Sequence, residues 1–163
     1  MFIAHGFYES GDYMLIREMR SKDLDLVVEF EIKFRDLGRE ITIPFKEEEY
    51  RKKFSKRKIE DYINSKSLLC IENNIIIGKI DLLIEISLSS FKKVGYIDWI
   101  TVLKTYRNKG IAKSLLLEAE KHFREENCEL FYLFVDDTDI AKGFYDHIGL
   151  KQEKVTRGYK LLN

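Results

Sequence analysis

The spacing of apolar positions changes several times along the chain, and each change marks an element. Met14 to Met19 reads as a short strand. The polar turn Arg20-Ser21-Lys22-Asp23 follows, with Ser21 placed to cap a helix whose inward stripe is Leu24, Val27, Val28, Glu31 and Phe34. Gly38 to Pro44 is irregular. Lys46 to Tyr62 is so charged that only Tyr50, Phe54, Ile59 and Ile63 remain as an apolar stripe, which predicts a second, solvated helix. Its run Glu47-Glu48-Glu49 reads as an exposed face, or as the border of a pocket for a cationic substrate.

Ser67 to Ile71 and Ile75 to Ile86 are rich in Ile and Leu and meet at Glu72-Asn73-Asn74, where Asn tolerates the positive φ of a tight turn; a β-hairpin is predicted. A third strand runs from Val94 to Val102. Gly110 to Glu126 sets Ile111, Ala112, Leu115, Leu116, Ala119 and Phe123 on one helical face, with Lys113, Glu118, Lys121 and Glu125 on the other. Leu130 to Val135 is apolar at every position, as expected of a central strand covered on both faces. Thr138 or Asp139 can cap a short helix carrying Ile140, Ala141, Phe144, Tyr145 and Ile148, which Gly149 would end. Leu150 to Val155 and Gly158 to Leu162 read as a closing pair of strands. The order β-α-α-β-β-β-α-β-α-β-β describes an α/β (α+β) chain with a mixed, central β-sheet flanked by helices. It is expected to form a single domain, residues 14–163, behind an N-terminal extension of residues 1–13.

Composition narrows the function. The 163 residues carry 28 Lys+Arg against 28 Asp+Glu and are 45% hydrophobic, so disorder is excluded. A nucleic-acid partner is disfavoured, because phosphate binders need a basic excess. Cys70 and Cys128 form no CxxC pair, no metal spacing is present, and a reducing cytoplasm is the expected location. No apolar run approaches the roughly 20 residues of a membrane helix, so no membrane association is expected.

One segment breaks the even mixing of charge. Trp99 to Leu117 holds Lys104, Arg107, Lys109 and Lys113 and no acidic residue, at a strand end followed by a glycine-containing turn and a long helix. Free backbone N–H groups, the helix dipole and the side-chain charge then all favour an anion there. Neither G-x-G-x-x-G nor G-x-x-x-x-G-K-[ST] is present, so a phosphate ligand other than a Rossmann or P-loop nucleotide is indicated.

The stretch Val102-Leu103-Lys104-Thr105-Tyr106-Arg107-Asn108-Lys109-Gly110-Ile111-Ala112 resembles the V-x-P-x-Y-R-x-x-G-x-G/A motif of the GCN5-related N-acetyltransferases (GNAT), whose loop binds the pyrophosphate of acetyl-CoA. Ala141-Lys142-Gly143-Phe144-Tyr145-Asp146-His147-Ile148-Gly149-Leu150 resembles the family's A-x-x-[LF]-Y-x-x-x-G-F segment. Lys104 stands for the usual Pro, Leu150 for the usual Phe, and Thr138 where many members carry a cofactor-contacting Asn. The resemblance implies a GNAT-like acyl-CoA N-acyltransferase fold and acetyl-CoA as co-substrate, without a metal. Its cofactor-binding residues would be Ile100, Val102, Arg107, Asn108, Lys109, Gly110, Ile111, Ala112, Lys113 and Thr138. Ile100 and Val102 would act through backbone groups that pair with the pantetheine arm.

Acetyl transfer to an amine needs a base for the ammonium and an acid for the leaving thiolate. By resemblance Tyr145 is the acid. Asp98 is the candidate base, since the resemblance includes members that carry Glu at its offset from the loop; it is equally readable as a structural carboxylate, since many members relay the proton through water. Strand alternation would align it with Ile100 and Val102 on one face. His122, on the exposed helix side, and His147, at a helix C-terminus, are weaker candidates. The implied activity is direct acetyl transfer to a primary amine of a small molecule or a protein or peptide. The alternatives are a non-catalytic acyl-CoA-binding or regulatory module and a nucleic-acid binder using Lys104 to Lys113. A homodimer stays open.

Overall fold

A computed structural model describes residues 4–7, 13–35, 45–56, 64–135, 139–156, 158 and 160. The chain divides into two compact units, Met1–Leu133 and Phe134–Asn163. The first holds a six-stranded sheet whose spatial order equals its chain order: β1 Ala4–Phe7, β2 Tyr13–Glu18, β3 Ser65–Glu72, β4 Ile75–Ser87, β5 Lys92–Val102 and β6 Leu130–Leu133. Neighbours from β1 to β5 are antiparallel, whereas β5 and β6 are parallel. A parallel pair needs a crossover, and α3, Ile111–Glu125, supplies it. Within residues 1–13, Ala4–Phe7 pairs with β2.

The expected hairpin forms, with Asn73 and Asn74 at φ 48° and 61°. Successive strand residues point to opposite faces. Accordingly Lys79 meets Glu31 of α1, Leu24–Arg35, while a Cβ on Gly78 would lie 2.9 Å from Ile111 of α3, so the two helices cover opposite sides of the sheet. Under α1, Val27, Phe30 and Phe34 pack with Leu69, Ile71, Ile76 and Leu103. Under α3, Leu115, Leu116, Ala119 and Phe123 are buried, and Phe123 lies so close to β5 that a Cβ on Gly95 would stand 2.6 Å from its ring.

Several expectations are corrected. Ser21 does not cap α1: it opens a one-turn 3₁₀ helix, Ser21–Asp23, whose preceding N–H, that of Arg20, donates to the Asp23 carboxylate at 2.7 Å. The second helix, α2, is described over Glu47–Lys56; Gly38 to Pro44, Ile59 and Ile63 lie outside the described residues. Leu130 to Val135 is not a central strand. Its strand ends at Leu133, it is the last in the sheet among the described residues, and Leu130 is exposed. The run is apolar because each face finds one aromatic neighbour: Phe131 stacks on Phe123 at 5.7 Å and Tyr132 packs on Tyr96 at 4.9 Å.

In the second unit, α4, Asp139–His147, ends as expected with Gly149 at φ 78°. Leu150 to Val155 is not a strand. Lys151 to Thr156 are exposed, and Gln152 uses its amide on the Lys142 carbonyl and the Asp146 carboxylate of α4, giving that segment a helix-side anchor in place of a ladder. Of Gly158 to Leu162, residues 158 and 160 carry no strand and the others lie outside the described residues.

Candidate active site

The charged loop has the local geometry that an anion requires. A 3₁₀ turn, Lys104–Tyr106, leaves β5, and Gly110 forms the N-cap of α3 at φ 77° and ψ 0°. The first helical bond runs from the Ser114 N–H to the Gly110 carbonyl at 2.9 Å, so the N–H groups of Gly110 to Lys113 have no helical acceptor. Among the described residues, nothing beyond its chain neighbours lies within 4 Å of where a Cβ at Gly110 would stand. Arg107 folds back so that its Nε donates to the Val102 carbonyl at 3.2 Å, and the Lys109 ammonium lies 5.1 Å from the Tyr106 ring centre.

The strand entering this loop is only partly paired. β5 and β6 are in register from Val94↔Leu130 to Ile97↔Leu133, and β6 stops there. Among the described residues, Asp98 to Val102 therefore have no strand on their β6 side, whereas the β4 side stays paired to the end, Gly78 opposite Val102. Ile100 and Val102 lie on this free stretch.

Asp98 itself is the extra residue of a β-bulge: Asp81 pairs with Trp99 and Leu82 with Ile97, one step on β4 against two on β5. The bulge corrects the expected alternation. Ile100 and Val102, opposite Ile80 and Gly78, face α3, while Asp98 falls in with Trp99 on the other side. Asp98 is exposed on that side, so its carboxylate is not buried. There Asp98 accepts a hydrogen bond from Tyr96 Oη at 3.2 Å. The neighbouring Tyr132 hydroxyl donates to Glu85 at 2.9 Å, and burial together with that bond pushes its phenol up to about 12.

Asp98 lines a cleft of about 420 Å³ with Glu18 and Met19 of β2 and its end, Tyr50, Lys53 and Phe54 of α2, Ser67 of β3, and Asp81 and Leu83 of β4. None of Glu47, Glu48 and Glu49 lines it; Glu47 pairs with Arg51 at 2.8 Å, and Glu49 pairs at 2.7 Å with Lys53 of the cleft rim.

Behind the cleft lies a charge network that the sequence reading missed. The Lys79 ammonium, with its side chain 10% exposed, bonds to Glu31 at 2.7 Å and Asp81 at 2.9 Å; Ser67 Oγ donates to the other Asp81 oxygen at 2.6 Å, and Arg35 closes on Glu31. Burial pushes Lys79 down, but the two carboxylates more than offset it and hold it charged. Burial likewise raises Glu31, yet Lys79 and Arg35 leave its carboxyl below the usual range. The signal was present: Lys79 and Asp81 interrupt the apolar run Ile75 to Ile86 two residues apart, hence on one face.

The structure thus brings Asp98, Ile100, Val102 and Arg107 to Lys113 together along one strand end, loop and helix start. Tyr145 lies on α4 of the second unit, its ring edge-to-face with Phe144 at 5.1 Å. Thr138 is outside the described residues. His122 is half-buried rather than exposed, and desolvation pushes its imidazole below the ordinary value. Among the described residues no three His, Cys, Asp or Glu side chains converge to hold a metal, and no helix is long and apolar enough to cross a membrane.

Comparison with known proteins gives the same class. The Acetyltransferase (GNAT) family matches residues 34–150, and the chain belongs to that family. An N-alpha-acetyltransferase of Saccharolobus solfataricus is similar at 28% identity over 159 residues, covering 93% of this chain and 88% of its own. An aminoglycoside acetyltransferase from an uncultured soil metagenomic sample, in complex with sisomicin, shares the fold at a TM-score of 0.73 and 20% identity, over 92% of this chain and 97% of that one. An aminoglycoside N-acetyltransferase in complex with CoA does so at 0.74 and 16% identity, over 93% and 96%.

Proposed function

We propose that this chain transfers the acetyl group of acetyl-CoA directly to a primary amine of a small molecule or of a protein or peptide. The observation that carries the reading is the continuity along the chain of three features: the N–H groups at the start of α3 that have no helical acceptor, the stretch of β5 beyond β6, and the carboxylate-bearing cleft at the Asp98 bulge. The names of its relatives, an N-alpha-acetyltransferase and aminoglycoside acetyltransferases, support an amine acceptor.

In this reading the Gly110 to Lys113 N–H groups and the charges of Arg107, Lys109 and Lys113 hold the pyrophosphate, with Asn108, at φ 62°, shaping the turn. Ile111 and Ala112 present the helix start to it. Backbone groups of Ile100 and Val102 align the pantetheine as an added strand. Bound acetyl-CoA supplies the thioester that the amine attacks. Asp98 takes the ammonium proton before attack, and the Tyr145 hydroxyl gives a proton to the departing thiolate. The free thiols Cys70 and Cys128 agree with a reducing, cytoplasmic setting.

Incubation with radiolabelled acetyl-CoA and panels of polyamines, aminoglycosides, amino acids and peptides tests the reading. Label appearing on an amine supports it. CoA binding by calorimetry with no transfer to any amine would select the non-catalytic binding module instead.

A further inference from the structure

Asp81 is a cross-strand partner of Trp99 and therefore a near neighbour of Asp98, at the roughly 5–8 Å reach of direct and diagonal pairs. Both carboxylates line the same cleft. They differ in how firmly they are held. Asp98 has one bond, from a tyrosine, whereas each oxygen of Asp81 is fixed by its own donor, Ser67 Oγ at 2.6 Å and Lys79 Nζ at 2.9 Å. A carboxylate offers about four lone-pair directions, so two remain for a ligand, and the Asp81 side chain keeps 24% of its surface exposed.

Stability alone does not account for this construction. A lysine in a sheet interior bracketed by two carboxylates is generally no better for folding than well-packed apolar residues of the same volume. Here the chain of contacts Arg35, Glu31, Lys79 leads from α1 along one face of the sheet and terminates in the cleft at Asp81. The lysines at the cleft rim are themselves paired, Lys53 with Glu49 at 2.7 Å and Lys66 with Glu18 at 3.8 Å. A rigidly oriented acceptor of hydrogen bonds beside a freer carboxylate suits a ligand that donates several N–H groups.

We propose that Asp81 is a positioning residue for the amine acceptor: its carboxylate, aimed by Ser67 and Lys79, takes an N–H of the acceptor's ammonium and holds the nitrogen beside Asp98. The inference rests on the acceptor reading above and adds to it the group that orients the amine. Steady-state kinetics with the panel amine of highest wild-type turnover tests it. Asp81→Asn is expected to raise the KM for that amine about 10- to 100-fold, the size of one lost charge-assisted hydrogen bond, with kcat within about 3-fold and the KM for acetyl-CoA unchanged. Ser67→Ala, which frees one Asp81 oxygen and leaves Lys79 and Glu31 paired, is expected to raise the same KM about 3- to 10-fold, and it decides the matter if Asp81→Asn does not fold. An unchanged amine KM in the folded variants overturns the assignment, whatever happens to the melting temperature, as does a loss confined to kcat. A wild-type protein that acetylates no amine fails earlier, at the acceptor reading itself, and takes this assignment with it.

Discussion

Gly110 separates backbone strain from ligand exclusion. At φ 77° a residue with a side chain sits in the left-handed region, which costs about 1–2 kcal/mol. Among the described residues, none beyond its chain neighbours comes within 4 Å of an added Cβ, so no clash with them adds to that cost. For a chain of this size, each kcal/mol lowers the melting temperature by about 2–4 °C, and Gly110→Val is expected to melt about 2–8 °C below the wild type. The valine side chain would stand at the helix start, beside the Gly110 N–H. Losing one charge-assisted hydrogen bond of about 1.5–3 kcal/mol weakens binding about 10- to 150-fold. Isothermal titration with CoA and calorimetric melts of the same samples give both quantities. Gly110→Asn is the control: asparagine tolerates the left-handed region, so stability should return toward wild type, while its Cβ still weakens binding. Wild-type CoA affinity in Gly110→Val, with the melting temperature lowered as expected, would refute placement of the pyrophosphate at this helix start.

Tyr145→Phe keeps the ring and deletes the hydroxyl, and should lower kcat about 10²- to 10⁴-fold with CoA affinity and melting temperature unchanged; a normal kcat when chemistry limits turnover would make the tyrosine structural. Asp98→Asn should lower kcat for the amine by a similar factor and leave CoA titrations untouched, since the side chain is exposed and its removal orphans no buried group. Glu31 predicts acid lability. Its folded carboxyl sits below the ordinary value of about 4.3, so its stabilisation is complete above that pH and is lost as the pH falls through the lower, folded value. Urea melts between pH 7 and pH 3 should show stability falling below about pH 4.5, and Glu31→Gln should flatten that fall; an equal slope in both proteins would refute the contribution.

Elements set by neighbours in sequence were legible without the fold. The 3.6-residue period of α3 comes from side chains three and four apart, the Asn73-Asn74 turn from the φ that asparagine tolerates, and the turn before α3 from consecutive residues ending in a left-handed glycine. Family membership was readable for the same reason, because both of its motifs are short and contiguous. Tertiary structure decided whatever depends on which strands meet. The Asp98 bulge exists only as a mismatch of count between β4 and β5, and that single extra residue moved the carboxylate from the face of Ile100 to the face of the cleft. The place of β6 as the last strand among the described residues likewise followed from where pairing stops, because an apolar run cannot say whether strands or aromatic rings cover it. The Lys79 network joins α1, β3 and β4, so its members are dispersed in sequence and only the alternation of Lys79 with Asp81 hinted at it. Local chemistry determined the loop before α3; strand register determined which side chains line the cleft, because strand pairing joins residues far apart in sequence and one inserted residue reverses the faces that follow it.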